Sequence, residues 1–193
     1  IVNSFGTDVI AAYSAASRLD AIAVIPAMIL AQALATFVGQ NLGANKPERV
    51  KTGLFATIKI TVVVTIITTA IVVLFGSFFM RAFTSDTEVI RIGNEYLTIV
   101  SLFYLVFAMM FIFSGVMRGA GETVVPMIFT LLSLWVVRIP VALLLSKFME
   151  SEKGIWWSFP IGWAIGLILS WAYYSTGRWK KRVIVKPTDA VEE

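Results

Sequence analysis

Apolar residues follow one another along this chain in five long stretches that short polar segments interrupt. The uncharged runs cover residues 21–45, 60–80, 96–117, 123–137 and 154–177. With their flanks, these runs reach the roughly 20 residues that an α-helix needs to cross the hydrocarbon core of a bilayer. Strands of a membrane barrel would alternate polar and apolar residues over about 10 positions, which these runs do not. The pattern predicts an all-α, polytopic membrane helix bundle.

We place the five complete transmembrane helices at residues 8–42, 48–80, 88–117, 123–147 and 154–178, followed by a basic and then acidic tail at residues 179–193. The first helix is longer than a bilayer is thick, so it should protrude, tilt or bend at Pro26. The chain opens at Ile1, and residues 1–5 are typical of the last turn of an earlier helix. We therefore expect the end of a sixth span here and a larger protein of which this is the C-terminal part.

Two short segments between spans combine glycines with polar or basic residues. Their characteristic residues are Gly39, Gln40 and Gly43 in the first hinge, and Arg118, Gly119 and Gly121 in the second hinge. Because the hinges fall two spans apart, both are expected on the same side of the membrane. Glycines four residues apart also let helices approach closely, and such pairs occur at Gly39/Gly43, Gly115/Gly119 and Gly162/Gly166.

Composition and charge support a membrane protein and give it an orientation. Apolar and aromatic residues make up 58% of the chain and charged residues 15%, against about a quarter charged in a soluble domain. Lysine and arginine are concentrated in the hinges and the tail, which predicts that these segments and the C-terminus are cytoplasmic. We expect a multi-pass protein of the plasma membrane (a bacterial inner membrane) whose first partner is the lipid bilayer. The net charge of +4 is not a nucleic-acid footprint, because no basic surface alternates with stacking aromatics.

Few polar side chains fall inside the predicted spans, and each has two interpretations. Arg138 either lines a water-filled substrate pathway or forms a gating ion pair, or its side chain extends so that the charged group reaches the outer interface. Gln32 needs a hydrogen-bond partner on another helix or on a ligand. Tyr104 either stacks on a cationic, aromatic solute or packs with its hydroxyl on a backbone carbonyl.

Acidic residues are predicted to lie outside the central part of every span. Asp20 precedes Leu42 by a helical distance of roughly 33 Å, which places it at the outer interface, either on a solvated rim or in an extracellular gate. Histidine and cysteine are absent. The acid pairs, Ser/Lys sets and His/carboxylate ligands of hydrolytic enzymes are therefore missing. We expect no enzyme, no catalytic residue, no metal site and no cofactor.

At this point the motifs resemble those of a known family. The stretch from Asn3 to Arg49, with Pro26 and the first hinge, is similar to the seventh-to-eighth helix region of MATE (multidrug and toxin extrusion) transporters. The segment from Arg118 to Pro126 resembles that family's loop between the tenth and eleventh helices, and the sequence Arg-Ile-Pro at 138–140 fits its eleventh helix. The resemblance implies twelve helices in two lobes of six, with this chain as the C-terminal lobe.

The resemblance also implies a mechanism and its partners. It implies an antiporter that exports amphipathic organic cations by alternating access, coupled to H⁺ or Na⁺. The substrate-cavity candidates in this lobe are Gln32, Tyr104, Phe107 and Arg138. Some members carry an acid in the tenth helix at the position where this chain has Phe107. The coupling ion is therefore expected to bind in the N-terminal lobe. That lobe is the other expected partner, besides small organic cations.

Two other functions stay open from the sequence. A flippase for a lipid-linked precursor or polysaccharide would belong to a related two-lobed class, and anionic head groups would call for several inward-facing basic residues, of which only Arg138 qualifies. A membrane assembly subunit without transport activity is the further alternative, although the hinge motifs argue against a passive scaffold.

Overall fold

Helices account for nearly all of the structure, a computed structural model that describes residues 2–179. A short 3₁₀ turn at Val2–Phe5 precedes eight α-helices: α1 (Thr7–Ala23), α2 (Ile25–Gly43), α3 (Glu48–Met80), α4 (Thr87–Ser101), α5 (Tyr104–Gly119), α6 (Val124–Leu131), α7 (Arg138–Met149) and α8 (Lys153–Ser175). The predicted all-α fold is confirmed. The start at Ile1 and the tail from residue 180 onward lie outside the described residues.

The helices combine into segments that are long and apolar enough to cross a membrane. Within the described residues four such segments are Thr7–Gly43, Glu48–Met80, Val124–Met149 and Lys153–Ser175. Helices α4 and α5 meet at an angle of 48° and form a fifth if the bent pair is counted as one span. The structure thus has four to five membrane-length helices, in agreement with the five predicted, and the third of them is broken near its middle.

A hydrogen bond from a neighbouring helix supports this break. Where α4 ends, the carbonyl of Ser101 accepts a hydrogen bond from the Thr69 hydroxyl of α3 at 2.8 Å. In a membrane an unpaired carbonyl is costly, and threonine side chains commonly satisfy backbone groups that a broken helix leaves free. The break turns the start of α5, at Tyr104, toward α1.

The first segment is interrupted at its predicted position. Helix α1 ends at Ala23 and α2 begins at Ile25, so that Pro26 lies in the first turn of α2. Proline is well placed there because it has no amide hydrogen to donate and the first helical turn needs none.

Helix α5 lies in the middle of the bundle against α2, α3 and α8. Its contact with α2 depends on glycine: a Cβ atom on Gly115 would lie 2.5 Å from the carbonyl oxygen of Ala31, and one on Gly39 would lie 3.2 Å from that of Gly119. Gly43 differs, because no heavy atom lies within 4 Å of the place that a Cβ atom would occupy there. The two hinges therefore pack against each other at one end of the bundle.

The fourth segment contains an irregular turn. A π-helical turn at Leu132–Val137 joins α6 to α7 and is followed directly by Arg138. The buried Ser133 of this turn donates a hydrogen bond to the carbonyl of Gly162 on α8 at 2.5 Å. Such turns are often found at functional sites, where one extra residue redirects the side chains that follow.

Candidate functional site

A carboxylate lies between two phenols at the junction of α1, α4 and α5. The Asp20 side chain accepts hydrogen bonds from the hydroxyl of Tyr104 at 2.7 Å and from that of Tyr96 at 3.2 Å. Both tyrosines are buried, and Asp20 itself is partly buried. Two donors on separate oxygens hold the carboxylate in one orientation, with its charge inside the bundle.

Further aromatic rings pack against Tyr96 on the side of α8. Trp156 is fully buried, stacks on Tyr13 and meets Tyr96 edge to face at 5.1 Å between ring centroids. Phe159 meets the same Tyr96 ring at 5.5 Å. The Trp156 indole nitrogen is buried and finds no acceptor within residues 2–179, so the cluster holds a spare hydrogen-bond donor. We call Asp20 and these four rings the Asp20 cluster.

Arg138 contacts the Asp20 cluster through Phe159. The guanidinium carbon of Arg138 lies 3.3 Å from the centroid of the Phe159 ring, in a cation–π contact. Its positive charge also acts on the Asp20 carboxylate. The negative Asp20 and the positive Arg138 therefore both lie at the aromatic rings of the Asp20 cluster. They form no direct ion pair among the described residues.

Three of the four residues predicted for a cavity lie in or beside this cluster. Tyr104 bonds Asp20 and Arg138 stacks on Phe159, while Phe107 packs on Trp163 at 5.0 Å between centroids. Gln32 does not belong to the group, because it is exposed on α2. The Tyr104 hydroxyl donates to the Asp20 carboxylate, and not to a backbone carbonyl as the packing interpretation predicted.

Asp20 is the functional candidate that sequence reasoning undervalued. The sequence left open a solvated rim or an extracellular gate, and the structure places the partly buried carboxylate between Tyr96 and Tyr104. Counting residues along a helix gives the depth of a residue in the membrane, but not the direction in which its side chain points. The spacing of Ala12, Ala16 and Asp20 puts them on one face, and both alanines are completely buried. That spacing was the signal available in the sequence.

The arrangement suits recognition of a positively charged, flat molecule. A carboxylate inside a bundle needs a countercharge, and aromatic faces attract cations through their quadrupoles. Tyrosine hydroxyls position the carboxylate but leave its net charge in place. A carboxylate close to aromatic rings is therefore the combination of groups that attracts an organic cation, and in this lobe Tyr96, Trp156 and Phe159 are themselves buried.

We expect Tyr104→Phe to destabilise the protein by about 1.5–3 kcal/mol, the usual cost of losing a hydrogen bond to a charged group. Tyr96→Phe removes the longer bond and should cost less. Thermal unfolding of the purified variants in detergent micelles measures both. Equal stability of Tyr104→Phe and the unaltered protein would contradict the assigned contact.

Comparisons with known proteins agree with this fold. A family model described as MatE matches residues 1–144. The chain is 31% identical over 180 residues to Probable multidrug resistance protein YpnP of Bacillus subtilis (strain 168), covering 93% of this chain and 40% of that protein. It is 28% identical over 186 residues to Probable multidrug resistance protein YoeA of the same organism, covering 96% of this chain and 40% of the relative.

Solved structures share the helix arrangement. The crystal structure of the eukaryotic MATE transporter AtDTX14 matches with a TM-score of 0.80 and 25% identity, covering 90% of this chain and 39% of that one. The chain thus spans about 40% of the length of the curated relatives that it matches.

Proposed function

Because the chain belongs to the MatE family, we propose that it forms one lobe of a transporter that exports amphipathic organic cations. The protein crosses the membrane several times and is a transporter component, not an enzyme. The observation that carries the proposal is the Asp20 cluster, in which a carboxylate inside the bundle is presented beside aromatic rings. The names of the two Bacillus relatives, both probable multidrug resistance proteins, support export of drugs.

The proposed mechanism is antiport by alternating access. A second lobe would close the other side of the cavity, and the two lobes would rock about a site near the bilayer midplane. Entry of H⁺ or Na⁺ at an acid in that second lobe would favour the outward-releasing conformation through its different affinity for the two states. In this scheme Asp20 pairs with the substrate and the coupling ion binds elsewhere.

The proposed orientation follows the basic residues. We assign both hinges to the cytoplasmic side of the plasma membrane, since they pack together at one end of the bundle and carry Arg118 and the lysines beyond Gly43. Trp179 packs into the same apolar core as Leu42 and Ala120, which brings the end of the described chain to that side too. We therefore propose a cytoplasmic C-terminus.

We expect cells that express the complete protein containing this chain to accumulate less ethidium than cells lacking it. Ethidium is flat, aromatic and cationic, which matches the proposed contacts with Asp20 and the rings. A protonophore applied at constant Na⁺ should raise accumulation if H⁺ is the coupling ion, and removal of Na⁺ should raise it if Na⁺ is. Cellular fluorescence over time measures both effects.

Accumulation equal to that of cells lacking the protein would contradict drug export. The flippase alternative would then be examined by transfer of a labelled polyprenyl-phosphate lipid across proteoliposomes, to which the positive charge of Arg138 could contribute.

A further inference from the structure

Arg138 occupies an unusual position for a charged residue. It is the first residue of α7, directly after the π-helical turn, and lies within a segment apolar enough to span a membrane. Arginines at such positions are rare and generally have a polar partner or a role in a pathway. Here one face of the guanidinium is covered by the Phe159 ring, 3.3 Å away. The edge of the group, which carries its hydrogen-bond donors, is not used by that contact.

No ion pair in the described part of the chain accounts for the Arg138 charge. The ion pairs formed within residues 2–179 join Arg91 and Lys153 to Glu88 and Glu95, and none includes Arg138. Asp20 and Arg138 interact only at longer range, without an ion pair among the described residues. The guanidinium thus has no direct oxyanion partner in the described chain.

A cavity of about 400 Å³ is lined in part by Arg138. Besides Arg138, its walls include the indole of Trp135, the side chains of Leu134 and Ile139, and Ser158. Trp135 is largely exposed, so its ring is available to a ligand in the cavity. An apolar and aromatic cavity with a single well-placed charge is the usual form of a small-molecule site.

We propose that Arg138 binds an oxyanion of the transported molecule, a carboxylate or phosphate group, while the rings of that molecule lie against Trp135 and Leu134. The planar fork of an arginine matches a carboxylate with two parallel hydrogen bonds, which a point charge does not. The inference rests on the proposed function, since it places a second contact in the same substrate pathway.

The test compares two dyes that differ in one group: tetramethylrhodamine, which carries a free carboxylate, and its methyl ester. Binding of each to the complete protein in phosphatidylcholine nanodiscs is measured by fluorescence anisotropy. Arg138→Gln should weaken binding of the acid about tenfold to a hundredfold, as expected for loss of charge-assisted hydrogen bonds, and should leave binding of the ester equal or tighter. The ester also reports that the variant is folded.

Two further variants separate a contact from a general effect of charge. Arg138→Lys keeps the positive charge but loses the fork, so the acid should bind several-fold more weakly with the ester unchanged. Arg91→Gln removes an exposed arginine that is paired with Glu88 and Glu95, and it should change neither affinity. An acid-to-ester affinity ratio that is the same in Arg138→Gln and in the unaltered protein would overturn the subsite but not the exporter.

The remaining arms distinguish the other outcomes. If neither dye binds the unaltered protein, the proposed export function fails and the subsite with it. Repeating the measurement in nanodiscs that contain phosphatidylglycerol identifies the source of the oxyanion. Weaker acid binding there, seen in the unaltered protein and absent in Arg138→Gln, would assign Arg138 to the head group of the anionic lipid and overturn its role in the substrate site.

Discussion

Replacing Asp20 by asparagine should lower the rate of ethidium export by at least about tenfold. Asparagine has nearly the same shape and can still accept a hydrogen bond from Tyr104, but it removes the negative charge that would pair with the cation. Inside a membrane protein, loss of one close charge pair costs more than about 1.4 kcal/mol, which is about tenfold in affinity. Initial efflux rates from preloaded cells, at matched expression, measure the effect.

Asp8→Asn is the matched control, because Asp8 is exposed near the start of the same helix and should not affect export. Asp20→Glu keeps the charge but moves it by one methylene, so it should retain part of the activity. Unaltered export by Asp20→Asn would refute the proposed contact with the substrate. A loss that is equally large for Asp8→Asn would mean that the measurement reports expression and not recognition.

The contacts of Asp20 in the structure also show the limit of interpreting the sequence one helix at a time. Hydropathy and the number of spans between the hinges were enough to predict an all-α membrane bundle with both hinges at the same end, since both depend on properties summed over many residues. The partners of Asp20 belong to α4 and α5, which lie far along the chain. Only the spacing from Ala12 and Ala16 pointed inward, and it did not reveal which helix would meet that face.

The break between α4 and α5 was not predictable for a similar reason. Residues 98–106 contain neither proline nor glycine, the usual causes of a sharp bend. The hydroxyl that stabilises the broken turn comes from Thr69, on another helix. The bend in turn allows Tyr96 and Tyr104 to reach the same carboxylate, so the candidate site depends on a tertiary contact that the local sequence does not encode.

Glycine pairs were predicted to bring helices together, and the structure shows which of them do. Gly115 faces the backbone of Ala31, and Gly166 faces the side chains of Ser133 and Met110. Gly43 has the same spacing in sequence from Gly39 yet meets nothing within 4 Å. A pair in one helix indicates a possible contact face, whereas the presence of a neighbour is decided by the arrangement of the other helices.

This contrast gives a prediction with opposite signs for one substitution at two glycines. Gly115→Ala should destabilise the protein by about 1–3 kcal/mol, because the new methyl group would lie 2.5 Å from the Ala31 carbonyl oxygen and backbone cannot move aside cheaply. Gly43→Ala adds the same methyl group in open space, and should be neutral or stabilising by up to about 1 kcal/mol through its higher helix propensity.

Thermal unfolding of both variants in detergent micelles tests the pair directly. The gain in helix propensity favours alanine at both glycines, so only the helix contact can make Gly115→Ala the less stable of the two. Because α5 also supplies Tyr104 at its other end, a shift of α5 away from α2 should in addition weaken ethidium export by Gly115→Ala. Equal melting temperatures for the two variants would show that α2 and α5 are not held as closely as Gly115 and Ala31 indicate.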